Sequence, residues 1–168
     1  MSSSIASLLP RLYDVTAGAE RIAGSVRALQ RLATHGGAAS LDLAAVASAA
    51  LRLAAPTLEP RAHVIRQVFP VPLVAGDEVR VGHAALAILQ FAHAGFDAET
   101  GNVSNRIVVC VEPRDHGVVL EVSDNGRALS RADLDHAFDP LRPAPSRPAR
   151  GAGVGLVVAR SIAESLGG

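Results

Sequence analysis

Lysine is absent from this 168-residue chain, so its sixteen basic side chains, balanced by sixteen acidic ones, are all arginine. A catalytic lysine, a Schiff base and a Walker-type phosphate loop are thereby excluded. The formal net charge of zero provides no global field to draw in a polyanion. Tryptophan is also absent and aromatic residues make up only 3%, which leaves almost nothing for a base-stacking platform. Nucleic acid is therefore not an expected partner. The single cysteine, Cys110, cannot form an internal disulfide and suits a reducing compartment. No apolar run reaches the ~18 residues of a membrane span. The start, Met1-Ser-Ser-Ser, lacks the basic and apolar regions of an export signal. A soluble cytoplasmic protein, away from any membrane, is the expectation. What is present is 49% hydrophobic against 19% charged residues, which argues against wholesale disorder. The length predicts one domain, or one domain with a helical appendage.

Leu8, Leu12, Val15, Ala19, Ile22, Val26, Leu29 and Ala33 recur at alternating steps of four and three, the seam of a helix that packs on another helix. Pro10 fits its first turn and Gly36-Gly37 ends it. The seam reads either as an amphipathic helix lying on its own domain or as a dimer stem. A second helix is predicted from Leu41 to about Leu58, stopped before Pro60. Residues 63–69 alternate as a strand. Asp77 is a good N-cap for a third helix running to about Phe96. Strands follow at 106–111 and 118–123, joined by turn residues from Glu112 to Gly117. Ser130 and Asp133 open a short helix, with Asp where a capping box prefers Glu. Prolines at 140, 143, 145 and 148 forbid regular structure before a final helix from about Val154 to Leu166. This order predicts an α/β sandwich with one helical layer.

Two segments carry candidate chemistry. The first, Asp124-Asn125-Gly126, follows a strand directly. Asn-Gly is the commonest hairpin turn signal, but residues 127–138 lack a strand's alternation. The functional reading puts Asp124 at a strand's carboxyl end facing a pocket, with Gly126 letting backbone approach a ligand. The second, Gly151-Ala-Gly-Val-Gly-Leu156, opens a helix. Its glycines either bring backbone N–H groups to phosphates or only allow close packing. It is not the dinucleotide fingerprint, since residue 156 is Leu and a loop precedes. Other chemistries fail: there is no G-x-S-x-G, and the six histidines lie singly without metal-ligand spacing.

Taken in order, Gly76-Asp77, a long helix, two strands ending in Val122-Ser-Asp-Asn-Gly126, Phe138-Asp-Pro140, a loop and residues 151–168 resemble the catalytic and ATP-binding domain of sensor histidine kinases, of the Bergerat or GHKL fold. The resemblance spans about residues 40–168. It implies a two-layer α/β sandwich of the Bergerat type at 38–168, lacking the family's usual final strands. It also implies that 1–37 is similar to the end of a dimerisation helix. On this resemblance Asp124 would accept from the adenine amine, Gly126 and Ala128 would flank the ring, and residues 139–152 would form the ATP lid. Gly151, Gly153, Gly155 and Leu156 would lie along the phosphates. Arg142, Arg147 and Arg150 would supply the lid's positive charge, or else belong to a solvated loop.

The chain departs from the family where two asparagines four residues apart hold magnesium. Alignment on the helix end puts Leu89 and His93 there. Leu89 cannot ligate, and an imidazole nitrogen suits Mg²⁺ poorly. His93 would either hydrogen-bond a phosphate when protonated or sit satisfied at the edge of a core helix. Ala128 replaces a glycine, and Phe96-Asp97 stand where a basic and an aromatic residue are usual. No histidine precedes His35, so the family's usual phosphoacceptor is missing. The resemblance therefore implies a histidine-kinase-like domain with ATP as its ligand, magnesium disfavoured and nucleotide binding weak or lost. It would act in signal transduction as a homodimer through the N-terminal helix, touching a signalling protein partner. The alternatives are an active kinase phosphorylating a separate protein in trans, and a nucleotide-free dimeric adaptor.

Overall fold

The structure, a computed structural model, describes residues 40–96, 104–139 and 152–168. The N-terminal seam, Asp97, most of the expected lid with its three arginines, and Gly151 lie outside the described residues. By internal contacts the chain divides after Gly36, and the second unit, Gly37–Gly168, holds all the described residues.

The elements run β1 (Ser40–Leu41), α1 (Leu43–Leu58), β2 (His63–Val68), β3 (Val74–Ala75), α2 (Glu78–His93), β4 (Arg106–Arg114), β5 (Gly117–Asp124), α3 (Arg131–His136) and α4 (Ala152–Ser165). Leu41 does not start the helix as expected. It pairs with Val74 in a two-residue ribbon, and Asp42 caps α1 by accepting from the N–H groups of Ala44 and Ala45 at 2.9 and 3.1 Å. Asp77 caps α2 as expected, accepting from Arg80 N–H at 2.8 Å. The hairpin is tighter than the sequence suggests. β4 runs on through Pro113 to Arg114, and Asp115-His116 alone make the turn. Pro113 is tolerated because β4 has passed the end of β2, so on that side no ladder bond is lost. The expected capping box forms at α3: Ser130 Oγ accepts from Asp133 N–H at 3.2 Å, and the Asp133 carboxylate accepts from Ser130 N–H at 3.2 Å. The final helix begins at Ala152, two residues earlier than expected.

The main sheet has the order β2-β4-β5, with β2 parallel and β5 antiparallel to β4. Ile107, Val109 and Val111 of β4 are fully buried, the first two in one cluster with Leu51 and Leu58 of α1 and Leu89 of α2, while the intervening β4 residues are half-buried or exposed. One sheet face thus carries the helical layer. Within that layer α2 is central. Gly82 lies against Val46 of α1, and Ala87 lies against Gly155 of α4, where an added Cβ would come within 3.3 Å of the alanine methyl. Leu156, Ala159 and Ile162 form the buried stripe of α4. Arg80 of α2 donates to Ser165 Oγ at 3.0 Å, placing a cation at the negative end of α4's dipole.

Candidate nucleotide site

The site is built at the end of the sheet where β2 and β4 begin and β5 finishes. Alternation along β5 puts Val118, Leu120, Val122 and Asp124 on the helix-facing side, because their partners include Ile107, Val109 and Val111. Asp124, opposite Ile107, is the half-buried polar terminus of an otherwise apolar row. Its Oδ1 accepts from Gly126 N–H at 2.9 Å, which fixes the carboxylate in an Asx turn.

Three neighbours hold that turn. Asn125 Oδ1 accepts from Arg106 N–H at 2.6 Å and its amide donates to the Ser104 carbonyl at 2.8 Å, so the side chain closes the start of β4. Arg127 N–H donates to the Gly95 carbonyl at 2.8 Å, tying the loop to the end of α2. Gly126 is required by that contact. A Cβ there would lie 2.6 Å from the Gly95 oxygen and 2.8 Å from its carbon, both backbone atoms that cannot turn aside. The expected close approach at Gly126 is therefore made by the chain's own Gly95. Ala128 is exposed.

The other candidates fall in different places. Leu89 is 2% exposed inside the core. His93 stands beside Arg61, and burial, followed by the Arg61 charge, holds its imidazole below the usual 6.5. Its Nε2 is shut off from solvent without a hydrogen-bond partner. Phe96 is buried. Gly153 lies in the first turn of α4, where N–H groups have no intrahelical acceptor. Gly155 lies on Ala87 and Leu156 is buried, so close helix packing accounts for both. Among the described residues no three His, Cys, Asp or Glu side chains gather as metal ligands. Leu89, sealed in the core, offers no oxygen ligand to a magnesium ion.

The sequence reading passed over Asn125, Gly95 and Asn105. The last is 9% exposed, donates to the Arg61 carbonyl at 2.8 Å, and its own carbonyl accepts from His63 N–H at 2.8 Å. A glycine at the end of a helical run was the available signal for Gly95. An apolar groove of about 470 Å³ lies elsewhere. Leu41, Val81, Ile88, Val118, Leu120 and Ile162 line it toward the Gly117 end of β5.

A strand-end carboxylate beneath a helical layer, sewn by glycine to the neighbouring helix and followed by a helix with glycines in its first turns, is an arrangement of the Bergerat type. The chain belongs to the histidine kinase-, DNA gyrase B- and HSP90-like ATPase family, whose model matches residues 76–168. It is similar to the sensor protein ChvG of Agrobacterium fabrum, 29% identical over 99 residues, which make up 57% of this chain and 16% of that protein. Among solved structures it resembles a mycobacterial sensor histidine kinase, MprB, with a TM-score of 0.60 at 20% identity over 78% of this chain and 81% of that one. The catalytic domain of the histidine kinase ThkA gives 0.61 at 17% identity, over 77% and 82% of the two chains. Full-length ShkA in complex with AMPPNP gives 0.68 at 18% identity, over 99% of this chain and 35% of that one. These likenesses show the Bergerat fold. Among the described residues no helix is long and apolar enough to cross a membrane.

Proposed function

We propose that this chain is the nucleotide-binding module of a histidine-kinase-type signalling protein, and that it takes ATP weakly and without dependence on magnesium. Asp124 would accept the adenine amine, with Gly126 and Ala128 beside the ring and Gly153 at the phosphates. The protein would act through contacts with a signalling partner, as a dimer joined by the helix within residues 1–37. The observation that carries this reading is the contrast at α2: the carboxylate turn is intact and locked to Gly95, while Leu89 is sealed in the core. A metal needs oxygen ligands in near-octahedral array, and a buried leucine supplies none. Thermal-shift titration with ATP, with and without Mg²⁺, tests it. ATP at ~100 times its dissociation constant raises stability by roughly 2.7 kcal/mol. The shift is expected to be equal in both conditions and to need high ATP concentration, and a large shift seen only with magnesium overturns the reading.

A further inference from the structure

The helical layer is wider than the sheet beneath it. Helix α2 lies against β5, and α4 lies against α2 on the side away from α1, yet α4 has no comparable packing with any strand. Packed helices stand about 8–10 Å apart and paired strands about 4.8 Å, so α4 roofs the space of roughly two strands beyond β5. Val118 and Leu120 of β5, Val81 and Ile88 of α2, and Ile162 and Leu166 of α4 face that space as the apolar groove.

The hydrogen-bond phase of the sheet shows which backbone groups look the same way. His63 N–H donates to the Asn105 carbonyl and Phe69 N–H to that of Val111, so the odd-numbered residues of β4 turn to β2 and the even-numbered ones to β5. Asn125 N–H donates to the Arg106 carbonyl, as this phase requires. The bonded pairs are then Val108 with Ser123, Cys110 with Glu121 and Glu112 with Val119, and the N–H and C=O groups of Val118, Leu120 and Val122 point away from β4. Among the described residues no strand lies along that edge. On the opposite face of β5 the Glu121 carboxylate is exposed. Arg114, 3.6 Å away, is shared with Glu112 at 2.7 Å, which leaves two carboxylates to one guanidinium.

A second copy of this chain does not fit the edge. A closed two-fold dimer through a sheet edge pairs the strands antiparallel and sets both helical layers on one side. Each α4 would then descend on the other copy's β5, the place that α2 holds. An extended segment that brings no helix of its own meets no such obstacle.

We propose that this edge docks an extended segment of a partner protein, which adds to β5 as a strand, seats alternate apolar side chains in the groove under α4 and carries a cation beside Glu121 between them.

Amide hydrogen exchange of the whole isotope-labelled chain, followed by NMR with and without a saturating peptide, acetyl-Thr-Val-Lys-Val-Thr-Val-Thr-amide, tests it. The peptide is expected to slow exchange at Val118, Leu120 and Val122 about tenfold, the worth of one hydrogen bond, and to leave Val119 and Glu121, already bonded to β4, unchanged. Proline in place of the central valine of the peptide removes a ladder donor and should abolish the effect. Ala163→Glu, which sets a charge into the groove from an exposed position on α4, should abolish it too, and Glu121→Gln should weaken the peptide. Unchanged exchange at the three residues overturns the proposal, as does equal action of the proline peptide. Exchange there that is as slow in the chain alone as at Glu121 also overturns it, by showing the edge already covered by the chain's own segments or by a second copy.

Discussion

His93 shows how a single side chain can set a pH limit on stability. Its Nε2 is shut away without a partner, and both burial and Arg61 disfavour the charged form. In the unfolded chain the imidazole titrates near 6.5, and in the folded chain lower. The unfolded state thus takes up the proton first as pH falls. The stabilisation is complete above about 6.5 and is lost progressively as pH drops toward the folded value. Melting temperatures of the unaltered chain and His93→Gln, measured from pH 8 to pH 5, should diverge in slope only on the acid side. Parallel curves would remove His93 from the account. Gly126 shows the other kind of residue-scale constraint, a position set by contact with another backbone rather than by its own dihedrals.

At the scale of elements, α2 is the piece on which both core and site depend. It covers the sheet, touches α1 and α4 through different faces, and ends at the carboxylate turn. Leu89→Asn should therefore build no metal site. It should cost roughly 2–5 kcal/mol by leaving a buried amide and a lost hydrocarbon contact, readable as a fall in denaturation midpoint with no gain in magnesium response. Much of this element was legible beforehand. Asp77 as cap, the helical period and the Ser130–Asp133 box were read from local chemistry, and the structure retains all three. Which face of α2 packs inward was not legible. A shift of one residue turns a helix by about 100°, and only the positions of α1, α4 and the sheet reveal that Leu89 looks inward while Gln90 does not. The ribbon of Leu41 with Val74, and the grip of Asn125 on Arg106, were hidden for a similar reason. Both join residues far apart in sequence, and no local pattern marks them.

On the scale of the whole molecule, the sheet has two unlike ends. The end near Asp124 is closed by side-chain amides of Asn105 and Asn125, while the apolar groove opens toward Gly117. Among the described residues β5 has no strand along its outer edge. The parallel pair of β2 and β4 joins segments roughly forty residues apart, whereas β4 and β5 meet across two turn residues. Loop closure makes the distant pairing slow and the local one fast. Val109→Ala, in the hairpin, should slow refolding in stopped-flow measurements, while Val74→Ala in the short ribbon should chiefly speed unfolding. Equal retardation by both would contradict that order. The two-residue turn therefore has a kinetic consequence. The strand bearing Asp124 finds its partner locally, before the distant pairing of β2 with β4 closes, so an early folding state carries that carboxylate on a two-stranded ribbon without the full sheet behind it.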